Sequence, residues 1–102
     1  MESTQHAWAV GLFEGEGYMD NFNGYPRFAI EMTDKDVIER FASIFPGGSM
    51  SSRQRAVHWK KSYIYKVGKK LLVQTYLSQM LSLLGDRRAH KALDILDQIE
   101  CT

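Results

Sequence analysis

The chain has 102 residues, 44% hydrophobic and 25% charged, which suits one small globular domain spanning residues 1–102 and is too short for two. A single cysteine, Cys101, excludes an internal disulfide framework and a cysteine-built zinc cluster. The net charge is only +1, and no apolar run reaches the length of a membrane span. With no signal-peptide pattern at its start, the chain is expected to be intracellular, with no membrane partner.

Charge is unevenly spread. Residues 1–46 carry eight acids against three bases, whereas residues 47–102 carry ten bases against four acids. Residues 53–70 hold seven bases and no acid. Such asymmetry can build a polyanion-binding face on a near-neutral protein, although a solvated surface hairpin would look the same.

Ser3 or Thr4 can cap a first helix running to about Glu14, with Ala7, Gly11 and Gly15 as a stripe of small residues. Gly11 and Gly15 are four apart and share a helix face, so another backbone could approach closely there. The helix runs out in Glu14-Gly15-Glu16-Gly17. Carboxylates at a helix C-terminus oppose the helix dipole, a cost that a metal ion would offset.

Two strands follow, Tyr18–Asn23 and Tyr25–Met32, joined at Asn23-Gly24, a strong hairpin signal. In the second, Phe28, Ile30 and Met32 alternate with Arg27, Ala29 and Glu31, giving a core face and a solvent or ligand face. Thr33 with Asp36 resembles a capping box for a helix over Asp34–Phe45, striped by Val37, Ile38, Phe41, Ile44 and Phe45. Pro46-Gly47-Gly48 ends it.

A second hairpin is expected from Ser49–Arg55, a turn near Ala56-Val57, and His58–Val67. Trp59, Tyr63, Tyr65 and Val67 would face the helices, leaving Lys60, Ser62 and Lys66 outward; a one-residue bulge would reverse that parity. Lys69–Leu84 reads as a third helix closed by Gly85. Asp86 can cap a last helix to about Glu100, with Ala89, Ala92, Leu93, Leu96 and Ile99 inward. The order α-β-β-α-β-β-α-α implies an α+β fold, a four-stranded antiparallel sheet with helices on one face. Its other face would carry Arg27, Glu31, Arg53, Arg55, Lys60 and Lys66, too polar for a core. His6, His58 and His90 show no metal-ligand spacing.

Ala9-Val-Gly-Leu-Phe-Glu-Gly-Glu-Gly17 resembles the LAGLIDADG motif of homing endonucleases, with Glu where the family name has Asp. Thr33-Asp-Lys-Asp-Val-Ile-Glu-Arg-Phe41, Val67-Gly-Lys-Lys-Leu-Leu72 and Leu84-Gly-Asp-Arg-Arg-Ala-His-Lys-Ala-Leu93 are similar to that family in the same order. The resemblance covers nearly the whole chain and implies a homodimeric, metal-dependent, intron-encoded DNA endonuclease. Its target would be a long, (pseudo)palindromic double-stranded DNA.

The resemblance implies that two motif helices pack through Ala7, Gly11, Leu12 and Gly15 and bring their acidic ends together over the DNA. Glu16 matches the catalytic, metal-binding acid, and Glu14 a supporting one. Both motif acids being Glu, each side chain reaches one methylene further than Asp would. Asp34 and Arg87 fall at the family's water-network and basic active-site positions, with Arg88 an alternative to Arg87 or a DNA contact. Arg27, Glu31, Arg53, Arg55, Lys60, Ser62 and Lys66 would face DNA. The implied cofactor is Mg2+ or another divalent cation such as Mn2+, with Ca2+ suited to a non-cleaving state; no other small-molecule cofactor is expected. A cleavage-inactive DNA-binding protein and an RNA-binding intron maturase are alternatives on the same fold. A structural dimer without nucleic acid is a third, disfavoured by the acid-free basic stretch.

Overall fold

The computed structural model describes residues 3–54, 56 and 60–100. Helix α1 (Ser3–Glu16) leads into strands β1 (Gly17–Phe22) and β2 (Tyr25–Met32), then α2 (Lys35–Ile44), β3 (Ser49–Arg53), β4 (Ser62–Val67), α3 (Lys70–Met80) and α4 (Asp86–Glu100). The strands form one antiparallel sheet in the order β1-β2-β4-β3. This is the expected α+β architecture, with helices on one face. No helix among the described residues is long and apolar enough to cross a membrane.

Local chemistry explains the first hairpin. Asn23 and Gly24 both have positive φ, 53° and 83°, as a two-residue type I′ turn requires. That turn sets Phe22 against Tyr25, and the register then runs through Asp20 opposite Arg27 to Gly17 opposite Ile30. Met19, Phe28, Ile30, Tyr65 and Val67 consequently point into the core with Val10, Phe13, Ile38, Phe41 and Leu77 from the helices. Aromatic rings meet edge to face there, as in Phe13–Phe28 at 5.5 Å and Phe45–Tyr76 at 5.0 Å. The Tyr65 hydroxyl donates to the Phe45 carbonyl and accepts from the Gly48 amide, fixing the link between α2 and β3. Buried His6 spends Nε2 on the Gln79 carbonyl, 3.0 Å away, so it is a packing residue tying α1 to α3.

Several expectations need correction. Helix α1 continues two residues past Glu14, so Glu16 is helical. The Thr33 capping box does not form: Asp34 occupies the cap position with extended dihedrals and no side-chain cap hydrogen bond. Strand β4 starts at Ser62 rather than His58, which leaves Lys60 outside the ladder. Arg55, Val57, His58, Trp59 and Cys101 lie outside the described residues. The third helix stops at Met80 and tightens into a 3-10 turn, Leu81–Leu83. The Gly85 carbonyl accepts the first bond of α4, from Ala89, so Asp86 sits in the first turn rather than at the cap. Leu93 is 44% exposed, and Ile95 takes the inward place given to it. Ala29 lies on the open face yet is buried, its small side chain between the cross-strand neighbours Tyr18 and Lys66.

Candidate nucleic-acid interface and acidic helix end

The end of α1 is built from close approaches. A Cβ on Gly17 would lie 2.3 Å from the Phe13 ring and 2.8 Å from its carbonyl, so only glycine lets β1 start beneath that ring. The turn presents the Gly17 carbonyl, at the end of α1, to α4. Arg88 Nη1 donates to the Gly17 carbonyl at 2.9 Å, and Arg88 Nε lies 3.3 Å from Glu14 Oε2 as an ion pair. In return, Glu14 Oε1 accepts the Gly85 amide at 2.9 Å. A carboxylate thus sits at the N-terminus of α4 and a guanidinium at the C-terminus of α1, each where the helix dipole favours it. The apparent misplacement of Glu14 is resolved by this clasp, with no metal required to offset it.

Glu16 is different. It is exposed at the end of α1 and, among the described residues, makes no hydrogen bond or ion pair. The register places Gly17 opposite Ile30, so the chain entering β1 from Glu16 and the chain leaving β2 toward Asp34 lie at one end of the sheet. Arg88 anchors α4 at that same end, with exposed Arg87 beside it in sequence. Topology therefore gathers the segments bearing Glu16, Asp34, Arg87 and Arg88, with Asp34 and Arg87 both exposed. No group of three His, Cys, Asp or Glu side chains converges on one point among the described residues. Glu16 and Asp34 both offer exposed carboxylates there; such hard oxygens suit Mg2+ or Ca2+, which take few protein ligands when phosphate and water fill the shell.

Along the outer side of α1, Ala7, Gly11 and Gly15 are exposed and Leu12 is half-buried. A Cβ added to Gly11 or Gly15 would meet nothing within 4 Å.

The open sheet face carries Tyr18, Asp20, Arg27, Glu31, Ser51, Arg53, Ser62, Ile64 and Lys66 by strand parity. Arg27 is held by Asp20 and Arg53 by Glu31, and Ser62 donates to Glu31 at 2.6 Å. Each carboxylate, through hydrogen bond and charge, raises its arginine further above the ordinary guanidinium range, so both remain cationic. Lys60 and Lys66 are exposed without an acidic partner among the described residues. Asp20, as the partner of Arg27, was missed by reading residues singly; the Asn23-Gly24 turn fixes the register that would have found it. The partnership of Glu14 with Gly85 had no sequence signal.

No protein-family model matches the chain, and no curated protein matches it. Solved structures do. The homing endonuclease I-CvuI in complex with its target in the presence of 2 mM Ca superposes with a TM-score of 0.75 at 15% identity, covering 95% of this chain and 66% of that one. A second I-CvuI complex, with 2 mM Mg and DNA not cleaved, gives 0.72 at 17% identity over 96% and 67%. The archaeal intron-encoded homing endonuclease I-Vdi141I complexed with DNA gives 0.74 at 14% identity over 98% and 69%. The chain spans about two thirds of the length of these structures. The chain has the fold of the LAGLIDADG homing endonucleases.

Proposed function

We propose that residues 1–102 form one domain of a divalent-metal-dependent, site-specific DNA endonuclease of the LAGLIDADG homing type, acting as a pair of copies. The observation that carries this reading is the contrast at the end of α1. Glu14 is committed to α4, while Glu16 is left accessible at the edge of an open polar sheet face, on a fold whose solved relatives are DNA complexes.

In this reading the copies join along Ala7, Gly11, Leu12 and Gly15. Glycine inside a helix costs roughly 0.5–1 kcal/mol relative to alanine, and close backbone packing offsets that cost. Pairing brings two Glu16 carboxylates together, and these hold Mg2+, or Ca2+ in a non-cleaving complex. The cation supplies acidification of a water molecule and neutralisation of charge building on the phosphate. Asp34 orders water by hydrogen bonding. Arg87 offsets phosphate charge and, being always protonated, cannot serve as a base. Arg88 holds the helix ends in place and has donors left to reach phosphate. Arg27, Glu31, Arg53, Arg55, Lys60, Ser62 and Lys66 contact DNA, with Lys60 and Lys66, which have no acidic partner among the described residues, on phosphates.

The test is cleavage of a plasmid library with Mg2+ by the wild-type chain and by Glu16→Gln. The wild type is expected to cut a discrete sequence, and Glu16→Gln to lose at least about 100-fold in rate while still binding it. Equal cleavage by both proteins would remove Glu16 from the chemistry. Binding without cleavage by both would replace the nuclease with a DNA-binding protein of the same fold.

A further inference from the structure

Two arginines on the open face are gripped in the same way. Arg27 donates from Nε (2.7 Å) and Nη2 (3.1 Å) to the two oxygens of Asp20. Arg53 donates from Nε (3.2 Å) and Nη2 (2.7 Å) to the two oxygens of Glu31. In both, the carboxylate takes the side edge of the guanidinium. The end edge, formed by Nη1 and the outer hydrogen of Nη2, makes no hydrogen bond among the described residues.

Stability is only a modest return from these pairs. The side chains are 37% and 36% exposed in one pair and 47% and 30% in the other, where even a well-aligned cross-strand ion pair is weakened by solvent. Arg53 reaches from β3 over β4 to a carboxylate on β2, although Ser62 is its direct cross-strand neighbour. Holding a long side chain stretched across a sheet costs conformational entropy. The return is a rigid fork of two parallel N–H donors.

That fork matches two ligand chemistries, a phosphate and the O6/N7 edge of guanine. The flanking carboxylate decides between them. Phosphate binding draws on net positive charge and counterion release, which an adjacent Asp or Glu cancels. A base edge is neutral and asks only for oriented donors. Lys66 on this face and Lys60, just before β4, have no such acidic partner among the described residues, and they suit phosphate.

We propose that Arg27 and Arg53 read guanines in the major groove, and that Asp20 and Glu31 are positioning residues that fix the two forks. The inference rests on the open face being a DNA surface. Arg27 and Glu31 are four residues apart on β2, about 13 Å. At 3.4 Å per base pair the two guanines lie about four base pairs apart within one half-site.

Selection of bound duplexes from a randomised library tests this with the wild-type chain, Arg27→Met, Arg53→Met and Asp20→Asn. The wild type should enrich guanine at two positions about four base pairs apart. Each methionine variant should lose about tenfold or more of the guanine preference at one of them and keep the other. Asp20→Asn should flatten the Arg27 position alone while affinity for unselected DNA holds or rises, because an acid has left the surface. A merely structural Asp20 would not change one base position selectively. The inference is overturned if the methionine variants keep the base preferences and lose affinity evenly with a shallower salt dependence, the mark of phosphate contacts. It is likewise overturned if Asp20→Asn leaves the profile unchanged. If the wild type enriches no duplex, the DNA reading itself fails and takes this inference with it.

Discussion

The two sides of α1 obey different rules. Its inner side buries His6, Ala9, Val10 and Phe13 against the sheet and the other helices, and Glu14 closes it with a bond to α4. Its outer side presents Ala7, Gly11 and Gly15 to open space and ends in the uncommitted Glu16. The inner side therefore maintains the fold. The outer side carries helix-weakening glycines with no return inside one copy of the chain; in the proposed function that surface is kept for another backbone.

Stability measurements test this contrast. Phe13→Ala on the inner side should cost about 3–5 kcal/mol in denaturant unfolding, because it empties the space beneath Phe28 and Gly17. Glu14→Ala should cost about 1 kcal/mol, comparable to losing a helix cap, with its ion pair adding little because Glu14 is 39% exposed. A neutral result there would mean that the clasp between α1 and α4 does not hold in solution. Gly11→Ala on the outer side should stabilise the isolated fold by roughly 0.5–1 kcal/mol, since an added Cβ meets nothing. Glu16→Gln should change stability least, within about 0.5 kcal/mol and toward greater stability, as a charge leaves the wrong end of the helix dipole. A large loss from Glu16→Gln would show that Glu16 supports the fold after all.

Much of this was legible in the sequence because short-range rules govern it. Alternation placed Phe28, Ile30, Tyr65 and Val67 inward, and Asn23-Gly24 set the first hairpin. The segments carrying Glu16, Asp34 and Arg87 could be nominated from motif resemblance. What escaped is long-range. Glu14 and Gly85 are 71 positions apart, as are Gly17 and Arg88, and no local pattern announces that two helix ends will exchange charges. The late start of β4 at Ser62 was equally hidden, because alternation extends back through Lys60 although the ladder does not. Leu93 fitted a helical stripe that rotates away from the core, leaving Ile95 inside.

In the proposed assembly the outer side of α1 joins two copies and carries both Glu16 side chains to one DNA site. Sedimentation equilibrium of the chain with its selected duplex, for wild type and Gly11→Leu, is the decisive measurement. Two wild-type chains per duplex are expected, with loss of that stoichiometry in Gly11→Leu, whose added side chain points into open space in the monomer and would fill the seam. One wild-type chain per duplex, or a pair that Gly11→Leu leaves intact, would contradict it.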